Sequence, residues 1–132
     1  MTRYLLDTNT VSHLFKRHTT VAARVQAVPI ASLCISAVTQ GEIYFGLAKR
    51  PDARSLHDAA AQFFQRVDVL AWDSTVAKEY GAMCAELQRH GRSLAPLDLL
   101  IAAHAKAATA VLVTSDRAFG QVPKLQMQDW TQ

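Results

Sequence analysis

The chain has 132 residues, a net charge of +3, 50% hydrophobic and 19% charged residues. That is the size of one globular domain, 1–132, with enough apolar content to bury a core, which excludes intrinsic disorder. No apolar run approaches the roughly 18 residues of a membrane span, and two cysteines, Cys34 and Cys84, are too few for a disulfide framework or an all-cysteine zinc site.

Both cysteines lie in apolar stretches and read as small core residues of a cytoplasmic protein. The first residues turn acidic at Asp7, unlike a secretory leader. The mild basicity permits an anionic partner such as nucleic acid without requiring one.

In chain order, Tyr4-Leu5-Leu6 reads as a short buried strand. A short helix follows over Thr8–Phe15, then a second over Thr19–Val28, closed by Pro29. Leu33–Ser36 is the next strand. Val38–Lys49 is helical up to Arg50-Pro51, because the residue before a proline disfavours the helical region. Ala53–Arg66 is a further helix and Val67–Trp72 a third strand. Asp73-Ser74 opens a long helix to about His90 with Gly91 at its end. Pro96 stands as a first helical residue, leading Leu97 to about Ala108. Ala110–Val113 is a fourth strand and Leu125–Met127 a fifth. The linker Gly91–Ala95 is expected to be the most flexible, and Gly41 and Gly46, inside a helix, to let a neighbouring element approach. Strands separated by helices predict an α/β fold of three layers, a central parallel sheet of about four or five strands with helices on both faces.

In such a sheet, ligands sit beyond the carboxyl ends of the strands. Asp7 follows the first strand, Glu42 lies on the helix after the second, and Asp116 follows the fourth. Asp98 opens the helix that feeds that fourth strand. Asp7 and Asp116 could equally cap the turns that follow them. Glu42 could pair with a nearby cation. Asp98 lies in Leu97-Asp98-Leu99-Leu100-Ile101-Ala102-Ala103 and has no Lys or Arg one helical turn away. A first-turn acid gains under about 1 kcal/mol from the helix dipole. Burying an unpaired carboxylate costs several kcal/mol, so a cation is expected beside it. Clustered acids make a hard oxygen site suited to magnesium or manganese. His13, His18, His57, His90 and His104 show no paired zinc-ligand spacing, and His104 falls on another face from Asp98. No Gly-x-Ser-x-Gly elbow and no phosphate-binding glycine loop is present.

The chain resembles the PIN-domain ribonucleases, specifically the VapC toxins of type II toxin–antitoxin systems. The likeness rests on Leu5-Leu6-Asp7-Thr8-Asn9-Thr10-Val11, Gln40-Gly41-Glu42-Ile43-Tyr44-Phe45-Gly46, Pro96–Ala105 and Leu112-Val113-Thr114-Ser115-Asp116-Arg117-Ala118-Phe119, with Val122–Trp130 similar to the family's ending. The resemblance implies a PIN-like fold and a Mg2+-dependent endoribonuclease, Mn2+ substituting, that cuts structured RNA such as transfer RNA. It implies a homodimer neutralised by a small VapB-like antitoxin. Carried over by position, Asp7, Glu42, Asp98 and Asp116 are the catalytic acids, with Asp7 and Asp98 foremost as metal ligands. Thr8 and Thr114 would orient ligands or waters. Lys49, Arg50 and Arg54 cluster beyond the Glu42 helix, and Arg89 and Arg92 flank the 91–95 linker. These five could hold the RNA backbone, or simply be solvated.

Two other readings remain. One is a catalytically inactive RNA-binding or interaction module on the same fold. The other is a haloacid-dehalogenase-like phosphatase. Asp7-Thr8-Asn9 approaches that opening, but Asn9 replaces its second Asp, the proton donor.

Overall fold

A computed structural model describes residues 1–132. The elements are β1 (Tyr4–Leu6), α1 (Thr8–Phe15), α2 (Thr19–Gln26), β2 (Leu33–Ser36), α3 (Ala37–Ala48), α4 (Arg54–Arg66), β3 (Asp68–Leu70), α5 (Ser74–Arg89), α6 (Pro96–Ala107), β4 (Val111–Val113) and β5 (Met127–Gln128). Two 3-10 turns, Ile30–Ser32 and Arg117–Gln121, complete the chain. No helix is long and apolar enough to cross a membrane.

The five strands form one parallel sheet in the order β3-β2-β1-β4-β5. Side chains alternate across it, as strand geometry requires. Leu5, Cys34 and Leu112 join a core beneath α5 and α6 with Met83, Leu87, Ile101 and Phe119. Leu6, Ile35 and Val113 join a second core on the opposite face with Val11, Val21, Ile43, Phe63 and Trp130. The expected three layers are therefore present, with α1–α4 on one side and α5–α6 on the other.

Strand order reverses between β1 and β4. The chain moves outward through β2 and β3, then returns to the far side of β1. That switch opens a crevice at the carboxyl ends of β1 and β4.

Several expectations need correction. The third strand covers only Asp68–Leu70, since it sits at the sheet edge and pairs with β2 alone. Beyond it Trp72 turns inward, its indole N–H donating to the Leu100 carbonyl at 3.0 Å. The fifth strand is Met127–Gln128, displaced by about two residues. Helix α2 stops at Gln26 and α3 begins at Ala37, where the Ser36 hydroxyl accepts the Val38 N–H at 3.1 Å. The 91–95 linker is fastened rather than loose. Arg92 donates to the Gln121 carbonyl at 3.0 Å, and Gln121 donates to the Ser93 carbonyl at 3.1 Å. A Cβ added at Gly41 or Gly46 would meet nothing within 4 Å, so neither glycine serves a close approach. Cys34 is buried as expected, whereas Cys84 is only half-buried.

Candidate active site

Asp7 ends β1 at the switch point. Its backbone N–H donates to the Val113 carbonyl on β4 at 3.1 Å, which pins it between the two central strands. The side chain is buried, and its Oδ1 accepts the Thr10 N–H at 2.8 Å, capping α1. Capping and a role in the site are thus compatible, because the second carboxylate oxygen accepts nothing from the protein.

Glu42 lies half-buried on α3. Its Oε1 accepts the Thr8 hydroxyl at 2.6 Å, and that hydroxyl is also 3.3 Å from the Thr39 hydroxyl. A short bond from a hydroxyl to a carboxylate is of the stronger kind. It fixes Glu42 against the start of α1, next to Asp7.

Asp98 is half-buried rather than interior, because α6 emerges at its first turn while Ile101, Ala102 and Ala105 behind it are fully enclosed. Its carboxyl pKa is pushed up, first by loss of solvent, then by the charges of Asp116, Asp7 and Glu42. The chain's two salt bridges are Arg3–Asp68 and Lys106–Glu79, so none of these four acids has a cationic partner. An ion pair at Glu42 is thereby removed as an explanation.

Asp7, Thr8, Asn9, Glu42, Asp98 and Ile101 line one small cavity of about 60 Å³. Asp116 lines a neighbouring one of about 310 Å³ with Thr114, Ser115, Arg117, Gln128 and Asp129. Its charge is nevertheless the largest of the three acting on Asp98, although the two carboxylates line different cavities. Asp116 Oδ1 accepts the Ala118 N–H at 2.9 Å, and Thr114 Oγ1 accepts the Asp116 N–H at 3.0 Å. Thr114 therefore sets the backbone of Asp116, not its carboxylate. No three His, Cys, Asp or Glu side chains are drawn close enough to hold one metal ion directly. Asp7, Glu42 and Asp98 share one polar hollow as separated carboxylates, the donor chemistry that suits a hard cation bridged through water.

Known proteins share this arrangement's sequence and fold. The PIN domain family matches residues 4–125. The chain belongs to that family. Its relatives are VapC proteins. The tRNA(fMet)-specific endonuclease VapC of Shigella flexneri is 32% identical, the alignment covering 99% of this chain and 100% of that one. Ribonuclease VapC1 of Haemophilus influenzae strain R2866 is 34% identical over 97% and 98%. Among solved structures, the DNA-bound VapBC of Salmonella typhimurium superposes with a TM-score of 0.90 at 31% identity, covering 98% and 99%.

The basic residues do not act as one group in this PIN domain. Lys49 and Arg50 line a groove of about 260 Å³ with Thr8, Glu42, Ser12 and Lys16, directly beside the acids. Arg54 and Arg89 are exposed and do not line that groove, and Arg92, also exposed, donates one hydrogen bond to the Gln121 carbonyl. Asn9, Thr39 and Arg117 also border the acids; Asn9 and Arg117 lie within the motif segments and Thr39 just before one, but no role in the site is assigned to them from sequence. His104 is buried and hydrogen-bonded to Ser36 at 2.7 Å.

Proposed function

We propose that this protein is a metal-dependent endoribonuclease, the toxin of a toxin–antitoxin pair. The observation that carries the reading is the delivery of Asp7, Glu42 and Asp98 from three different elements to one small cavity at the sheet's switch point, with the charge of Asp116 also acting on Asp98 and no salt bridge to any of the four. The names of the relatives, an endonuclease and ribonucleases, support it.

Asp7 and Asp98 are the proposed ligands of Mg2+ or Mn2+, with Glu42 and Asp116 completing the set. The ion would neutralise phosphate charge and lower the pKa of a water near neutral pH. The residues of the chain do the rest. The buried Asp7 is held rigidly by its cap bond, so its free oxygen has a defined direction. Thr8 orients the Glu42 carboxylate by the 2.6 Å bond. Asp98, whose proton affinity is raised by loss of solvent and then by its acidic neighbours, is relieved when the cluster's charge is balanced. Lys49 and Arg50, in the adjoining groove, meet the RNA backbone where it leaves the acids.

The VapBC structures among its neighbours support a small VapB-like antitoxin as partner. On α3 and α4, Ile43, Leu47 and Phe63 are interior, and Phe64 is half-buried against Tyr44 at 5.2 Å between ring centres. Tyr44 and Phe45 remain exposed on α3, at 53% and 64%. They are the surface offered to an antitoxin helix. A homodimer and a transfer RNA substrate complete the proposal.

Purified protein freed of partner should cleave transfer RNA with Mg2+ or Mn2+ and stop with EDTA. Products should carry 5′-phosphate and 3′-hydroxyl ends, since water rather than the ribose 2′-hydroxyl attacks. Ends bearing 2′,3′-cyclic phosphate would overturn the mechanism. Tight RNA binding without cleavage of any transfer RNA would favour the binding-module reading.

A further inference from the structure

The proposed acids come from opposite layers. Glu42 belongs to α3, packed with α1, α2 and α4, whereas Asp98 belongs to α6, packed with α5 on the other face. A sheet lies between the two cores, so something must hold the layers in register where they meet at its carboxyl edge. One fully enclosed polar contact joins α6 to the junction of β2 and α3. His104 of α6 and Ser36, the junction of β2 and α3, are 2% and 0% exposed, with Nδ1 and Oγ 2.7 Å apart.

Ser36 Oγ accepts the Val38 N–H that starts α3 and is hydrogen-bonded to His104 Nδ1 as well. Burial lowers the His104 pKa, against a small opposing effect of Asp73, which keeps the ring neutral. The serine thus caps the helix bearing Glu42 and hydrogen-bonds the helix bearing Asp98. Each acid lies six residues along its own helix from this contact, about 9 Å of helical rise.

We infer that Ser36 and His104 form a buried brace between the layers that sets the separation of Glu42 from Asp98, making both positioning residues for the proposed reaction. The inference rests on the nuclease reading for its metal-binding and activity arms. Neither residue touches the acid cavity, whose lining excludes both.

The test compares wild type with S36A, H104L and H104N. Leucine fills the space without a hydrogen bond, while asparagine places an amide close to the position of Nδ1. Mn2+ affinity is measured by electron paramagnetic resonance on metal-free protein, and RNA cleavage in single turnover. H104L and S36A should fold, bind Mn2+ about tenfold more weakly and cleave at least tenfold more slowly, with KM for RNA little changed. H104N should recover most of both. Folded variants that melt earlier yet bind Mn2+ as wild type does would overturn the brace, as would an H104N no better than H104L. If H104L does not fold, S36A and H104N decide by the same criteria. If wild type neither binds Mn2+ nor cleaves RNA, it is the nuclease reading that fails. The brace is then judged by the Glu42–Asp98 separation in crystal structures of wild type and S36A, which widens if the brace acts and is unchanged if it does not.

Discussion

Replacing Asp98 with Asn separates stability from function at the acid site, because the substitution keeps the shape and removes one charge. Two effects oppose each other in metal-free protein. Removing the charge relieves its loss of solvent first and the repulsion from Asp116, Asp7 and Glu42 after it. Asp98 is half-exposed, so solvent screening limits that gain to about 1 kcal/mol or less. The same charge stands in the first turn of α6, where it gains about 0.3–1 kcal/mol from the helix dipole. The two nearly cancel, and a domain of this length shifts by roughly 3–5 °C per kcal/mol. In EDTA, D98N should therefore melt within about 4 °C of wild type. Magnesium at a hundred times its dissociation constant stabilises a folded site by about 2.7 kcal/mol, or about 8–13 °C here. Wild type should show that rise and D98N should lose most of it, together with cleavage. Paired melting curves by circular dichroism with EDTA or Mg2+ provide the measurement. A D98N protein that melts much lower in EDTA yet keeps the full magnesium response would show that Asp98 is structural and remove it from the site.

Other outcomes follow from individual side chains. T8V loses the 2.6 Å bond that orients Glu42. At about 1.5–3 kcal/mol for a bond to a charged group, cleavage should slow by roughly ten- to a hundredfold, and an unchanged rate would detach Thr8 from the reaction. Removing Lys49 and Arg50 together should lower RNA affinity and flatten its salt dependence by about 0.7 for each phosphate no longer neutralised, whereas R54A and R89A should leave both unchanged. F45E should weaken the antitoxin complex ten- to a hundredfold, as expected for about 1.5–3 kcal/mol of forfeited aromatic burial, with no change in melting temperature. For pH, the folded-state pKa of His104 lies below the ordinary value near 6.5. Between the two values the unfolded chain binds more protons, so stability rises with pH through that window and falls on acidification below about 6.5. H104N should lose that part of the slope in urea titrations from pH 7 to 5, and an identical slope would assign it to other groups.

The order of elements and the identity of the acids were legible in the chain, because both are local properties. The short apolar run Leu33-Cys34-Ile35, Pro96 at a helix start and the aspartates closing Leu5-Leu6 and Val113-Thr114 each express conformational, burial or capping preferences over a few residues. Their positions relative to a parallel sheet then place them at one end of it. Which apolar residues are surplus was not legible. Ile43 and Phe45 lie two apart on one helix, but only packing of α4 and α1 makes the first interior and leaves the second exposed. The 91–95 linker carries flexible residues, yet Gln121, nearly thirty positions away, holds it. His104 has no sequence mark of a partner sixty-eight residues away in Ser36. Side-chain pairing across layers depends on where helices dock against the sheet, and that is decided by the sum of many long-range contacts rather than by any local stretch.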